Sequence, residues 1–431
     1  MKKIIKKIIA YDKMYHIIKS SFIYQWWKKI NGQIANTINW NPSKDFFIVW
    51  ITGTNWKTTV ANMLHKMFSD LVAPTVMIST AWMKIWNKNI INDKKMTSLD
   101  PYELQSILVE AKHQWCKIAI IEVSSHWLDQ YRFEWITFDY AILTNITRDH
   151  LDYHKTMHEY AKVKKKLFQY VLRNKKETKY ASFPADDKIG KERFNEMAFD
   201  KKINFSIQNS SMLKAENIIE WKNETTFDIK FLWRTYNTTS NILWNYNIYN
   251  YLAALSVWIQ IWIDIKQCIN SLSSFKWVSG RMEKITHNDT TYFVDYAHTP
   301  DALEKTLQFL HRLKWDNRLI ILYWAPWNRD REKRPTMWNI VQKYANISIA
   351  TDDDPDTENR LSILNQLTKE INSNKNFIIP ERKLAIKFAT QIAKPWDIVM
   401  LAWKWHEPIQ YTNFGTRTRS DKIELLKNLE K

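Results

Sequence analysis

Glycine is almost missing from this chain. Five glycines stand in 431 residues, where ordinary usage of about 7% predicts roughly 30. Tryptophan is in excess at 23, and the two together number 28, about 6.5% of the chain, which is a normal glycine content. We read most of the tryptophans as standing where the organism places glycine, as happens when a cell reads UGA as glycine and the written translation uses tryptophan. That reading expects Trp at turns and phosphate loops, where only glycine is conformationally permissive. Core-facing helix or strand positions should not carry it.

Cysteine is also scarce. Cys116 and Cys268 are the two in the chain, both inside apolar segments, which excludes a disulfide framework and a cysteine zinc site and fits a reducing compartment. Long apolar runs are lacking at the start. Lysines at 2, 3, 6 and 7 break up Met1–Ala10, too often for a signal-peptide core and far short of the ~20 residues of a membrane span. The expectation is a cytoplasmic protein with no membrane partner.

What remains is ordinary for a globular protein: 45% hydrophobic and 25% charged residues, which excludes wholesale disorder. The length suggests two to four domains. Lys and Arg number 63 against 45 Asp and Glu, for a net charge of +18. That suits an anionic partner, or reflects a Lys-, Ile- and Asn-rich codon bias, because the charge is spread without a basic stripe.

Residues 1–45 read as one or two helices and a connector. Phe46–Val49 is a short apolar run, followed by Thr52-Gly53-Thr54-Asn55 and a helical pattern from Thr58: the strand, loop, helix order of a phosphate-binding unit. Further apolar runs stop at Glu122 and at Thr144-Asn145 and alternate with helical patterns at 101–113 and 158–172, predicting a mostly parallel α/β sheet. A polar, weakly patterned stretch spans 174–240. After a helix at 247–259 the rhythm restarts with runs at 292–294, 319–322, 347–350 and 398–401. The domains expected are a helical segment 1–45, a central P-loop-type ATPase domain 46–279 and a C-terminal Rossmann-like α/β domain 280–431.

In Thr52–Thr59, backbone N–H groups would close around phosphate oxygens, Lys57 would supply a point charge and the Thr58 hydroxyl would bind Mg²⁺. A Trp at 56 obstructs a loop whose backbone is itself the ligand. Glu122 and His150 fall at strand ends, where ligands of parallel sheets sit, and could reach the same Mg²⁺; for Glu122 the alternative is a helix N-terminal carboxylate. His150, His154 and His158, spaced by four, leave a zinc site open.

At this point the sequence resembles the Mur ligase family over roughly 46–431, most closely its UDP-N-acetylmuramoyl-tripeptide synthetase branch. The family's Gly-Thr-Asn-Gly-Lys-Thr-Thr loop matches 53–59 with Trp56 for the second Gly, Glu-Val-Ser-Ser-His matches 122–126, and Asp-His-Leu-Asp-Tyr-His matches 149–154. Tyr160, Lys164, Leu167 and Phe168 match a further motif, as do Asn247 and Asn250, Gly-Arg-Met-Glu at 280–283, Val-Asp-Tyr-Ala-His-Thr-Pro-Asp at 294–301 and Arg-Asp-x-x-Lys-Arg-Pro at 329–335. Ala-Gly-Lys-Gly-His-Glu matches 402–407 with Trp403 and Trp405 for both glycines. Trp50, Trp127, Trp135, Trp244, Trp277, Trp324, Trp327 and Trp338 also fall where the family has or accepts Gly.

The resemblance implies an ATP-driven amide synthesis: a substrate carboxylate attacks the γ-phosphorus, an amino acid's amine attacks the acyl phosphate, and phosphate leaves. It implies ATP at Gly53, Thr54, Asn55, Trp56, Lys57, Thr58, Thr59, Asn247, Asn250, Arg281 and Asp295. Two Mg²⁺ would be held by Thr58, Glu122, His150 and Lys164, the last matching a lysine that the family carbamoylates; its bland alternative is a solvated helix lysine. Lys57, Lys164 and His150 carry the catalytic roles. Thr97, Ser98, Ser124, Gln130 and Arg132 match muropeptide-contacting positions, and Arg329, Asp353, Asp354, Asp356, Trp403 and Glu407 match the amino-acid pocket. The partners implied are a UDP-N-acetylmuramoyl-peptide and a free amino acid, taken by a monomer without nucleic acid.

Two departures stand out. About 50 residues precede the phosphate loop, fewer than the family's N-terminal UDP-binding domain. The family's Asp-Asn-Pro-Arg appears as Asp353-Asp354-Pro355-Asp356, an acid where the Arg should be. A folylpolyglutamate-synthase-like ligase and, on charge alone, a nucleic-acid-binding ATPase are the competing readings.

Overall fold

The computed structural model describes residues 22–430 except 81, 92–98, 134, 175, 222–223, 242–244, 262–263, 276–277, 279, 298, 325–332, 353–358, 369–373, 403–408, 413–414 and 419. A helix (Phe22–Ile38) and a 3-10 turn (Pro42–Asp45) lead into the first sheet. Its strands are β1 (Phe47–Thr52), β2 (Thr75–Ile78), β3 (Trp82–Ile85), β4 (Lys88–Ile91), β5 (Ile118–Glu122), β6 (Tyr140–Leu143), β7 (Tyr180–Pro184), β8 (Lys201–Ser206), β9 (Leu213–Glu220), β10 (Thr225–Phe231) and β11 (Arg234–Ser240). The order across the sheet is β11-β10-β9-β8-β7-β6-β1-β5-β2-β3-β4, parallel from β9 to β2 and antiparallel at both margins.

The apolar runs are continuous because both faces of the sheet are covered. Along β1, Val49 and Ile51 enter one core, with the helices Lys57–Leu71 and Asn245–Ile261, while Ile48 and Trp50 enter the other, with the helices Pro101–His113 and Met157–Arg173. A second sheet runs β12 (Glu283–His287), β13 (Thr290–Asp295), β14 (Leu319–Tyr323), β15 (Ile347–Ala350), β16 (Asn376–Ile378) and β17 (Ile398–Ala402), in the order β12-β13-β17-β14-β15-β16. All of its pairings are parallel except β12 with β13. It too is buried on both faces: Phe293 and Met400 point into one core, Val294 and Val399 into the other. This is the mixed α/β class expected.

The stretch 174–240 differs from its reading as weakly patterned. It forms β7 to β11 and the helix Lys188–Glu196. In β9 and β10 the inward residues Leu213, Ala215, Phe227 and Ile229 are fully buried or nearly so, while the residues between them face outward. Alternation with polar and charged side chains on the open face dilutes the apolar signal.

The tryptophans divide into two groups. Among the described residues, seven of the sixteen non-glycine residues at positive φ are Trp: 40, 56, 86, 115, 135, 315 and 396. Trp115 and Trp315 follow the C-caps Gln114 and Lys314 of helices ending at His113 and Leu313, the left-handed position where chains favour Gly. Trp396 follows Pro395 in a turn closed by Asp397 N–H to the Lys394 carbonyl at 3.0 Å, the place that a type II turn gives to Gly. Against the expectation, Trp50, Trp127, Trp258 and Trp338 are core-facing on strand or helix. Trp50 packs between Phe133 and Phe138, with ring centroids 4.7 and 4.6 Å away. Those positions have ordinary negative φ, and a ring that fits there is drawn in by its apolar area. Trp244, Trp277, Trp327, Trp403 and Trp405 lie outside the described residues.

Candidate active site

β5, β1 and β6 are adjacent and parallel, so the segments leaving their C-terminal ends meet at one sheet edge. These are 53–59, 123–132 and 144–154. Gly53 is required there by space: a Cβ would lie 1.8 Å from Thr144 Oγ1. The loop is pinned from the β6 side, with Thr54 N–H donating to the Asn145 carbonyl and Asn55 N–H to Asn145 Oδ1, both at 2.9 Å. It then opens the helix Lys57–Leu71, so free N–H groups and the positive end of the helix dipole point at the edge.

Lys57 Nζ donates to the carbonyls of Gly53 (3.1 Å) and Thr54 (2.9 Å) and lies 3.9 Å from Glu122. Burial holds its pKa below the ordinary lysine value, with Arg281 adding to the shift and Glu122 opposing it. Thr58 donates its hydroxyl to Glu122 Oε2 at 2.9 Å. The Glu122 carboxylate also accepts from Thr80 N–H (3.1 Å) and Thr80 Oγ1 (2.8 Å), so it belongs to the loop and does not act as a helix N-terminal cap. Hydroxyl and carboxylate oxygens under a phosphate loop are the hard donors that Mg²⁺ takes alongside phosphate oxygens and water.

Lys164 is not a solvated helix lysine. It is 2% exposed, donates to the Gly53 carbonyl at 2.8 Å and sits 4.7 Å above the Tyr160 ring. Desolvation, helped by the Lys57 charge, pushes its pKa well down, against Asp149 and Glu122. His150 starts a short helix (Leu151–His154) at φ 54°, with its ring Nε2 3.3 Å from Asp149. The zinc alternative finds no support: His154 is buried against the Ser125 hydroxyl, His158 is exposed, and among the described residues no group of three His, Cys, Asp or Glu is placed to hold a metal. Burial lowers the His154 pKa to about 4, so its ring is neutral.

Ser124, Gln130 and Arg132 line the same pocket of about 370 Å³ as Lys57, Glu122 and Lys164. The second sheet closes its far side, where Arg281 reaches Thr58 Oγ1 at 3.2 Å. Asp295 accepts from Met282 N–H, and burial raises its pKa against the pull of Arg281. Asn250 donates to Asn247 Oδ1 at 2.9 Å. Asn247, Arg281 and Asp295 line a second cavity of only about 50 Å³, shared with Thr59, Trp56 and Tyr246. The Trp56 indole stacks on the Tyr246 ring at 5.4 Å and 4°. It therefore obstructs this side cavity, and Trp56 also lines the larger pocket.

Thr97, Ser98, Arg329, Asp353, Asp354, Asp356, Trp403 and Glu407 lie outside the described residues. Sequence reasoning missed Thr80, Asn145, Asp149 and Tyr160 as site residues. Thr80 follows the C-terminal end of β2, where the strand-edge rule would have found it. Tyr160, whose hydroxyl meets Thr54 Oγ1 at 3.2 Å, and Asp149 stood inside motifs already quoted.

The model of the Mur ligase middle domain matches residues 51–258, and that of the Mur ligase, glutamate ligase domain matches 280–402. The UDP-N-acetylmuramoyl-L-alanyl-D-glutamate--2,6-diaminopimelate ligase of Halalkalibacterium halodurans is 33% identical over 398 residues, 92% of this chain and 81% of that one. Ligase 1 of the same description from Clostridium acetobutylicum is 35% identical over 385 residues, 88% and 76%. A solved structure of a ligase of that description aligns at TM-score 0.64 and 28% identity, covering 93% and 83%. Folylpolyglutamate synthase of Mycobacterium tuberculosis aligns at TM-score 0.69 and 14% identity, covering 87% and 92%, a likeness of fold alone. With family models across both sheets and relatives at one-third identity over about nine-tenths of its length, this chain belongs to the Mur ligase family.

Proposed function

We propose that the chain is an ATP-dependent amide ligase that adds an amino acid, of the diamino class named for its relatives, to a UDP-N-acetylmuramoyl-dipeptide during peptidoglycan precursor synthesis. The observation that carries this is the Thr58–Glu122 hydrogen bond beneath the phosphate loop, inside the pocket that also holds Ser124, Gln130 and Arg132. A phosphate site and an anion-binding substrate groove there share one space. The substrate carboxylate attacks the γ-phosphorus, ADP leaves, the amine attacks the acyl carbon, and phosphate departs with the amide formed.

Lys57, the loop N–H groups and Arg281 offset negative charge on the transferring phosphoryl group. Mg²⁺, held by Thr58, Glu122 and His150, would supply further charge neutralisation. Lys164 is the residue for a carbamate: its buried amine, whose pKa desolvation and the Lys57 charge push well down, adds CO₂ with loss of a proton, and the resulting anion suits a second Mg²⁺. Asn247, Asn250 and Asp295 take the nucleoside end. Residues 46–279 form the ATP-binding domain and 280–431 the domain for the incoming amino acid. Two free buried cysteines fit a cytoplasmic protein, which we take to act as a monomer.

The test is ADP release by the purified protein with UDP-N-acetylmuramoyl-L-alanyl-D-glutamate and a diamino acid. Release should require both, and the product should gain the amino acid's mass less one water. ADP release that ignores both substrates overturns the reading.

A further inference from the structure

Asn55 lies in the phosphate loop, yet its side chain faces the other half of the molecule. The loop itself is held by the Asn55 backbone N–H on Asn145. The amide instead donates from Nδ2 to Asp301 Oδ2 at 3.1 Å, with Thr147 Oγ1 at 3.5 Å, while its Oδ1 accepts from Thr299 Oγ1 at 3.4 Å. Asn55 is 7% exposed and Thr299 is fully buried.

Both partners sit at the start of one rigid element, the helix Pro300–Leu313. Thr299 is its N-cap, accepting from Ala302 N–H at 3.2 Å, and Asp301 in its first turn pairs with Lys305 at 2.9 Å. Leu303, Leu307 and Leu310 of that helix are fully buried in the second sheet's core. A movement of the second half therefore acts directly on the phosphate loop. Asp301 itself lines neither cavity, unlike Asn55 and Arg281, so replacing it deletes no lining side chain.

We propose that Asp301 is a positioning residue that couples ATP cleavage to docking of the half that brings the amine, acting through Asn55. The proposal rests on the ligase reading above. A carboxylate acceptor gives the Asn55 amide a stronger bond than a neutral group, and both polar ends of that amide are satisfied by the second half only when it is docked. Without the contact, phosphoryl transfer still forms the acyl phosphate, but the amine site is not held over it. Water then attacks the acyl carbon, releasing phosphate and regenerating the carboxylate with no amide.

The comparison is D301A and D301N against the parent, all carrying glycine at the motif tryptophans. Hydrogen exchange of the peptide covering 53–59 should be about tenfold faster in D301A and near the parent rate in D301N, whose amide oxygen still accepts from Asn55. Phosphate released per amide formed should rise from one to about two or more in D301A, with the KM for ATP within about twofold. Unchanged exchange overturns the contact whatever the activity. Faster exchange with a ratio of one overturns the coupling. If the parent forms no amide with any diamino acid, the ligase reading fails, and the exchange comparison still decides the contact.

Discussion

Thr58 and Glu122 are 64 positions apart, on the helix after β1 and at the end of β5, and are joined by a 2.9 Å hydrogen bond. Glu122 is 2% exposed and holds Thr80 with its other oxygen. Replacing it by Gln keeps the shape and removes the charge that a divalent cation needs. E122Q should fold with a melting temperature near that of the parent and lose about 10²–10³ in kcat, with the Mg²⁺ concentration for half-maximal rate raised. Unchanged Mg²⁺ dependence would remove Glu122 from the metal site.

Lys164 supports a sharper test because its alternatives differ in chemistry. K164A should abolish turnover and keep the fold, and acetate or formate should restore part of the rate by standing in for the carbamate. K164R restores charge and no carboxylate, so it should remain inactive. Full activity of the Ala variant would sink the carbamate.

The acid limb of stability has a source away from the site. Burial lowers the His65 pKa to about 4, with Lys84 adding to the shift and Asp70 opposing it, while in the unfolded chain it titrates near 6.5. The folded state therefore binds fewer protons between those values. Stability is full above about pH 6.5, falls as pH drops to about 4, and is flat below. His154 behaves alike. H65Q should flatten the pH slope in that window, by about 2–3 kcal/mol at its acid end. An unchanged slope in melting temperature against pH contradicts this.

On the family resemblance, Asp356 takes the place of an Arg expected to fork onto the distal carboxylate of diaminopimelate. An acid there repels that carboxylate and attracts an ammonium, so lysine or ornithine should outcompete diaminopimelate, although the relatives compared are named for the latter. D356R should shift the preference towards diaminopimelate. A clear preference of the parent for diaminopimelate would refute the assignment.

The parallel core was legible because strands buried on both faces read as unbroken apolar runs: 118–121 and 140–143 fall within β5 and β6. The phosphate loop was legible because its chemistry is local. Asp301 was not, since what makes it matter is a partner 246 positions away, set by packing of helices and sheets that no local pattern encodes. β9 to β11 escaped for a different reason, a half-polar alternation that resembles loop composition.

Trp56 brings the composition anomaly to one atom-level question. Its φ is 71°, left-handed, and its indole stacks on Tyr246 with Lys305 Nζ 4.6 Å above the ring. The cavity beside it is about 50 Å³, against ~300 Å³ or more for a bound small molecule. Written as Trp, the chain should bind ATP poorly. Among the described residues six further tryptophans share the left-handed backbone, at about 1–3 kcal/mol each against a total stability of ~5–15 kcal/mol. W56G alone should therefore not restore a stable enzyme, whereas glycine at 56 together with 40, 86, 115, 135, 315 and 396 should relieve that strain. The buried sites give the opposite sign in isolation: W50G in the chain as written leaves a cavity against Phe133 and Phe138 and should cost about 3–5 kcal/mol. Peptide mass spectrometry of the natural protein across residues 46–66 decides both positions at once. Glycine at 50 and 56 is the expected result, and tryptophan at 56 in a protein that turns over ATP would overturn it.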